Sequence, residues 1–222
     1  MGIRMFLLDL LFPPKCAFCR TFLTGGQALF CAECKEELPF CQEEAALQEG
    51  EGYSLVVSPL YYDGLVRESI HRYKFQGLRS YCHPYAAFLA PAIASHLTDR
   101  YDLLSWVPVS RARLRSRGYD QAKLLAQATA RLLDTTAVGV LKKVKNASPQ
   151  SALGGKDERA ANISGAYCVP RPELVADKRI LLIDDVLTTG ATLSESAHCL
   201  LQAGAKEVLC ATLARASERE AV

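Results

Sequence analysis

Ile180-Leu181-Leu182-Ile183-Asp184-Asp185-Val186-Leu187-Thr188-Thr189-Gly190-Ala191-Thr192-Leu193 is the stretch that decides the fold. Its first four residues are uninterrupted apolar and partly β-branched. That composition predicts a parallel strand buried on both faces by helices. Two carboxylates follow at once. In an open α/β sheet the carboxyl ends of the strands form the ligand crevice, so Asp184 and Asp185 are expected where a small polar ligand would sit. The small and hydroxylated residues Thr188, Thr189, Gly190, Ala191 and Thr192 then turn the chain into a helix. The free N–H groups, hydroxyls and dipole at such a helix start hold a phosphate dianion.

A phosphate cradle beside two carboxylates describes a phosphorylated sugar, with the anionic end at the helix and the hydroxyls at the acids. It is not a Walker loop. The Gly-Lys-Ser/Thr ending is absent, and the acids precede the turn instead of lying on a separate strand.

Working outward, a chain of 222 residues with half of them apolar suits one α/β domain carrying a small attachment. A formal net charge of +2 neither demands nor excludes a nucleic-acid partner. Of nine cysteines, Cys16, Cys19, Cys31, Cys34 and Cys41 fall in the first 41 residues. Cys16-x2-Cys19 and Cys31-x2-Cys34 are knuckle pairs separated by a segment containing Gly25-Gly26, a ready turn. Each pair can bite one side of a tetrahedral zinc, and four thiolates leave no open position, so the expected metal is structural. Reduced, packed thiols or a redox pair are the other uses of such cysteines. Residues 1–12 are apolar but interrupted by Asp9; they predict an amphipathic helix too short to span a bilayer, and a reducing cytoplasm fits the cysteine usage.

The polar stretch at residues 48–52 places an expected boundary, giving a module at 1–50 and a larger domain at 51–222. Expected elements follow as a strand at 55–62, a helix at 65–75, an alanine-rich helix at 85–96 and a strand at 103–107. A helix from 121 to about 133, strands at 138–144 and 165–169, a helix to about 203 and a strand at 208–213 complete the order. Two stretches are rich in cations. His71-Arg72-Tyr73-Lys74-Phe75-Gln76-Gly77 mixes cations with aromatics, suiting stacked bases and phosphates or simply a solvated helix face. Arg111, Arg113, Arg115 and Arg117 stand at alternate positions after Pro108-Val109-Ser110, and guanidinium suits either a diphosphate or a nucleic-acid backbone. Residues 145–164 lack apolar periodicity and read as an exposed loop, long enough for a lid.

The 180–193 stretch resembles the 5-phosphoribosyl 1-diphosphate (PRPP) signature of type I phosphoribosyltransferases. With the knuckle pairs, Tyr-Lys-Phe-Gln-Gly at 73–77, Val-Pro-Val-Ser at 107–110 and Arg-Gly-Tyr-Asp-Gln-Ala at 117–122, the order of parts resembles the ComF family of competence and DNA-utilisation proteins. The resemblance implies a type I phosphoribosyltransferase-like fold, an open, mostly parallel sheet flanked by helices, preceded by a four-cysteine zinc module. It implies that Asp184 and Asp185 face the ribose hydroxyls, with magnesium between sugar and diphosphate. Thr188, Thr189, Gly190, Ala191 and Thr192 would hold the 5-phosphate. Val109, Ser110 and Arg111 would form the diphosphate loop, with Arg111 stabilising the leaving group alongside the two acids.

The resemblance implies that such a chain binds PRPP with magnesium in connection with DNA uptake or utilisation, with or without a transferase reaction. The other readings are a non-catalytic single-stranded-DNA accessory of the uptake machinery, docking its helicase-like motor, or a PRPP-sensing regulator. For the DNA reading the expected contacts are Arg72, Lys74, Arg113, Arg115 and Arg117. Asp120 stands where the family commonly has asparagine, which removes an amide donor from the mouth of the site. Asp185→Asn is expected to abolish PRPP binding while leaving the melting temperature within a few degrees.

Overall fold

A computed structural model describes residues 13–23, 29–144 and 165–217. The expected helix at 1–12, the Gly25-Gly26 turn and the loop at 145–164 lie outside the described residues. One sheet carries the site. Its strands are β1 (Leu47–Gly50), β2 (Tyr53–Val57), β3 (Leu60–Tyr61), β4 (Leu103–Trp106), β7 (Arg179–Leu187) and β8 (Glu207–Arg215). A second, two-stranded piece pairs β5 (Lys142–Lys143) antiparallel with β6 (Tyr167–Cys168). The main order is β1-β2-β8-β7-β4, with β3 also on β8, and every pairing except β1 with β2 is parallel.

The helices are α1 (Ala32–Glu37), α2 (Gly64–Phe75), α3 (Cys82–Leu97), α4 (Arg111–Arg117), α5 (Gln121–Leu132) and α6 (Ala191–Gln202). The continuous apolar run of β7 is explained by its two covered faces. Leu181 and Ile183 pack with Ile70, Leu89 and Leu125 of α2, α3 and α5, whereas Ile180 and Leu182 pack with Leu193, Ala197 and Leu200 of α6. Each fully buried aliphatic contributes about 1.5–3 kcal/mol.

The cysteine module shares the larger of these cores. Cys16, Ala17, Phe18, Cys34 and Leu38 are buried with the residues of α2 and α3. Polar bonds fasten the same contact. Ser69 donates to the Ala17 carbonyl at 2.6 Å and meets the Tyr85 hydroxyl at 2.6 Å, and Arg72 donates to the carbonyls of Ala17 and Phe18. The 48–52 stretch read as a boundary forms the β1–β2 hairpin on the sheet edge.

Two expectations need correction. The strand expected at 138–144 pairs only at Lys142–Lys143, with one bridge from Ala137 to Leu104. The alternate arginines expected in a loop lie on α4. Ser110 caps that helix by accepting from the Arg113 N–H at 3.3 Å, and Gly118 ends it at φ 79°.

Candidate functional site

The strand continues through the two acids to Leu187, so Asp184 and Asp185 emerge on opposite faces of β7 instead of following its end. Asp185 keeps the parity of Leu181 and Ile183 and points toward α2. There Lys74 Nζ lies 2.7 Å from its Oδ1. Its second oxygen, Oδ2, is buried without a hydrogen-bond partner. Asp184 faces the other side, where its charge is felt by Tyr167 of β6. Both acids line one cavity of about 570 Å³, a size suited to a small ligand.

The wall of that cavity also includes Thr188 and Thr192 at the start of α6. Gly190 sits before that helix at φ 77°, a left-handed conformation that favours glycine, and a Cβ there would press on the Tyr53 hydroxyl at 3.2 Å. The first N–H groups of α6 have no intrahelical acceptor; Ala191 N–H meets Thr189 Oγ1, and those after it are left for an anion. The same lining includes Lys74, paired with Asp185, together with Arg113, Arg117 and Lys143, four cations to two carboxylates. A ligand carrying both hydroxyls and several phosphate charges matches this distribution.

Of the residues expected to bind PRPP, Val109, Asp184, Asp185, Thr188 and Thr192 are on the cavity wall. Ser110, Arg111, Thr189, Gly190 and Ala191 are not. Ser110 is committed to capping α4, and Thr189 Oγ1 accepts from the Ala191 N–H at 3.4 Å. Residues two apart on a helix point about 200° apart, so Arg113 and Arg117 share one face and Arg111 and Arg115 the other. The cavity receives the first pair.

The residues considered for nucleic acid divide similarly. Arg72 is occupied with the carbonyls of Ala17 and Phe18, and Lys74 points inward to Asp185. Lys143 and Tyr167, missed in the sequence, enter on the β5–β6 pair, with Lys143 Nζ 3.0 Å from the Tyr167 hydroxyl. The expected strands at 138–144 and 165–169 were their signal, but nothing local indicated which cavity they would line. Asp120, where an amide donor seemed missing, works as an acceptor. Its two oxygens take the N–H groups of Val109 at 3.2 Å and Lys123 at 3.0 Å, joining the diphosphate-loop candidate to the start of α5.

Burial, then the neighbouring charge of Asp185, lifts the Asp184 carboxyl to about 8, although Lys74 opposes the shift. Lys74 is driven down by burial but raised on balance by Asp185. Burial and then Arg113 push the Lys143 ammonium below its ordinary value. The raised Asp184 value has a stability consequence. Between the unfolded value near 4 and about 8 the folded state keeps a proton the unfolded chain has lost, so stability falls as pH rises through that window. Magnesium-free protein should melt lower at pH 8.5 than at pH 5.5, and Asp184→Asn should flatten that slope. An unchanged slope in the variant would remove Asp184 as its source.

Cys16, Cys19, Cys31 and Cys34 bring their four sulfurs within 4.8 Å of one another. A tetrahedral zinc with thiolates at about 2.3 Å needs sulfurs about 3.8 Å apart, and the Cys19 to Cys31 distance is 3.5 Å. Backbone N–H groups of Phe18 and Cys31 point at Cys16 Sγ, at 3.4 and 3.5 Å, as knuckle turns require. The donor set fits a closed structural zinc site. Cys41 is not part of this cluster.

Fold and cavity together define the class, a phosphoribosyltransferase-type domain behind a zinc module. Residues 116–222 match the family model for the phosphoribosyl transferase domain, and residues 7–53 match that for the double zinc ribbon domain. Competence protein F of Haemophilus influenzae is 31% identical over 196 residues, covering 84% of this chain and 85% of that protein. Competence protein ComFC of Bacillus subtilis is 30% identical over 143 residues, 64% of this chain and 56% of the relative. DNA utilization protein YhgH of Escherichia coli is 33% identical over 120 residues, half of each chain. The chain belongs to the ComF family of competence proteins. No helix among the described residues is long and apolar enough to cross a membrane.

Proposed function

We propose that the cavity binds a 5-phosphoribosyl ligand, PRPP with magnesium, that the protein works in the cytoplasm, and that it serves DNA uptake or utilisation, the roles named in its relatives. The observation that carries the ligand reading is the division of one cavity into two acids, a helix-start turn and four cations. The α6 turn with Thr188 and Thr192 would hold the 5-phosphate. Asp184 and Asp185 would accept from the ribose hydroxyls, where Asp185 Oδ2 lacks a partner. Arg113 and Lys143 would take the diphosphate; Lys143 is depressed by burial first and by Arg113 second, and a bound anion would offset the repulsion. Asp184 and Asp185 would also be the residues to hold a magnesium ion, which would supply charge neutralisation for the diphosphate.

A transferase reaction would use these same parts, holding the donor while diphosphate leaves C1 of the ribose. Arg113, which lines the cavity where Arg111 does not, would then be the arginine that stabilises that departure. Arg113→Ala should weaken PRPP about 10- to 100-fold, the loss of one charged hydrogen-bonding group. Arg115→Ala, on the opposite helix face, should change it less than twofold. Thermal shift checks both, since saturating ligand at about 100 times its dissociation constant adds about 2.7 kcal/mol. Equal losses in the two variants would make the arginines a general field instead of a site.

A second reading, a single-stranded-DNA accessory docking a helicase-like motor, is supported by the relatives' names and by Arg111 and Arg115, exposed and off the cavity wall. It has lost Arg72 and Lys74, which are turned inward.

A further inference from the structure

Lys74 and Lys143 line the same cavity but meet different partners. Lys74 Nζ lies 2.7 Å from Asp185 Oδ1, an ion pair, whereas Lys143 Nζ donates at 3.0 Å to the Tyr167 hydroxyl, a neutral acceptor. Lys143 Nζ also sits 4.8 Å from the centre of the Tyr167 ring, and Arg113 stands on the same wall. Burial first and the Arg113 charge second favour the neutral amine, against the opposing pull of Asp184. A lysine desolvated in a cavity and set beside another cation is the arrangement that turns an amine into a nucleophile towards carbonyl groups. The tyrosine contact leaves that use open. Nζ spends a hydrogen on it, and the lone pair of the neutral amine stays free. Position supplies the carbonyl. A group that takes the diphosphate stands beside C1 of the ribose, and in ribose 5-phosphate C1 is a hemiacetal that opens to an aldehyde.

We propose that Lys143 is a covalent site for aldose 5-phosphates, its amine forming an imine with C1 of the opened sugar. The Nζ lone pair adds to the carbonyl carbon, the C1 oxygen leaves as water with the two amine hydrogens, and a C=N bond replaces the C=O bond. No oxidant or reductant takes part, and hydrolysis reverses the step. The inference rests on the phosphoribosyl reading above. It extends the ligand class from the diphosphate-activated sugar, whose C1 is blocked, to reducing sugar phosphates.

Zinc-loaded protein incubated with ribose 5-phosphate and sodium cyanoborohydride, which fixes an imine as a secondary amine, tests it by peptide mass mapping. Lys143 should be labelled about tenfold more than any other lysine, because the bound sugar holds its aldehyde beside that amine. Lys143→Arg should lose the dominant adduct. Methyl ribofuranoside 5-phosphate, whose C1 cannot open, should bind by calorimetry, form no adduct and protect Lys143 from ribose 5-phosphate. If the methyl glycoside binds but ribose 5-phosphate labels no lysine, labels all of them alike, or labels Lys143 unprotected, the covalent site is overturned and the phosphoribosyl reading stands. Failure of both sugar phosphates to bind a folded protein overturns both.

Discussion

Asp185→Asn should weaken PRPP binding more than about 100-fold and also lower the melting temperature by about 3–10 °C. The second part reverses what the isolated motif suggests. A ligand-facing acid at a strand end would contribute little to the core, but Asp185 is only 5% exposed and pairs with Lys74 at 2.7 Å. Removing the carboxylate charge leaves an ammonium whose side chain is 22% exposed without its partner. Breaking a fully buried pair costs about 3–5 kcal/mol. The opening of Lys74 to the cavity reduces this to about 1–3 kcal/mol, which sets the temperature range. The double variant Asp185→Asn/Lys74→Met should recover stability without recovering binding, because the stranded charge is gone while the ribose-facing carboxylate is still missing. Calorimetric titration and thermal melts of the three proteins check this. If the double variant melts no higher than Asp185→Asn, the ion pair is not the source of the loss.

Cys31→Ser should release the zinc and lower the stability of the whole described fold. Structural zinc sites in small peptides contribute about 10–16 kcal/mol, comparable with the entire net stability of a domain. Here the ligating segment is not a separate appendage. Cys16, Phe18 and Cys34 are packed into the core that α2 and α3 share, and the carbonyls of Ala17 and Phe18 hold Arg72 and Ser69 on α2. Lys74, two residues beyond Arg72, reaches Asp185. Loss of the knuckle should therefore loosen α2 and weaken PRPP binding at the distant cavity. Metal analysis, thermal melts and titration of the variant should show no zinc, a melting temperature at least about 10 °C lower and reduced affinity. A parent protein that purifies folded without zinc would contradict the assignment.

The fold was legible wherever one local pattern determined the outcome. The run 180–183, apolar, partly β-branched and followed at once by acids and a turn, read as a strand covered on both faces, and cysteine spacing announced the knuckles before any partner was visible. Asp63 and Asp120, each accepting a nearby backbone N–H, fixed two helix starts close to where the sequence placed them. What failed depended on direction. Arg111 to Arg117 alternate like a strand or loop, yet Ser110 and Gly118 bracket a helix whose twist sends only Arg113 and Arg117 to the cavity. Arg72 and Lys74 looked like one basic face because the carbonyls and carboxylate that claim them are far away in sequence. Lys143 and Tyr167 reached the site through a two-residue pairing too short to announce itself.

The central claim is that this cavity holds a phosphoribosyl diphosphate. Calorimetric titration of the zinc-loaded protein with PRPP and magnesium tests it most directly. The account predicts saturable binding at one site per chain, lost in Asp185→Asn. No binding in a folded, zinc-loaded sample would contradict it and leave a phosphoribosyltransferase fold turned to other use.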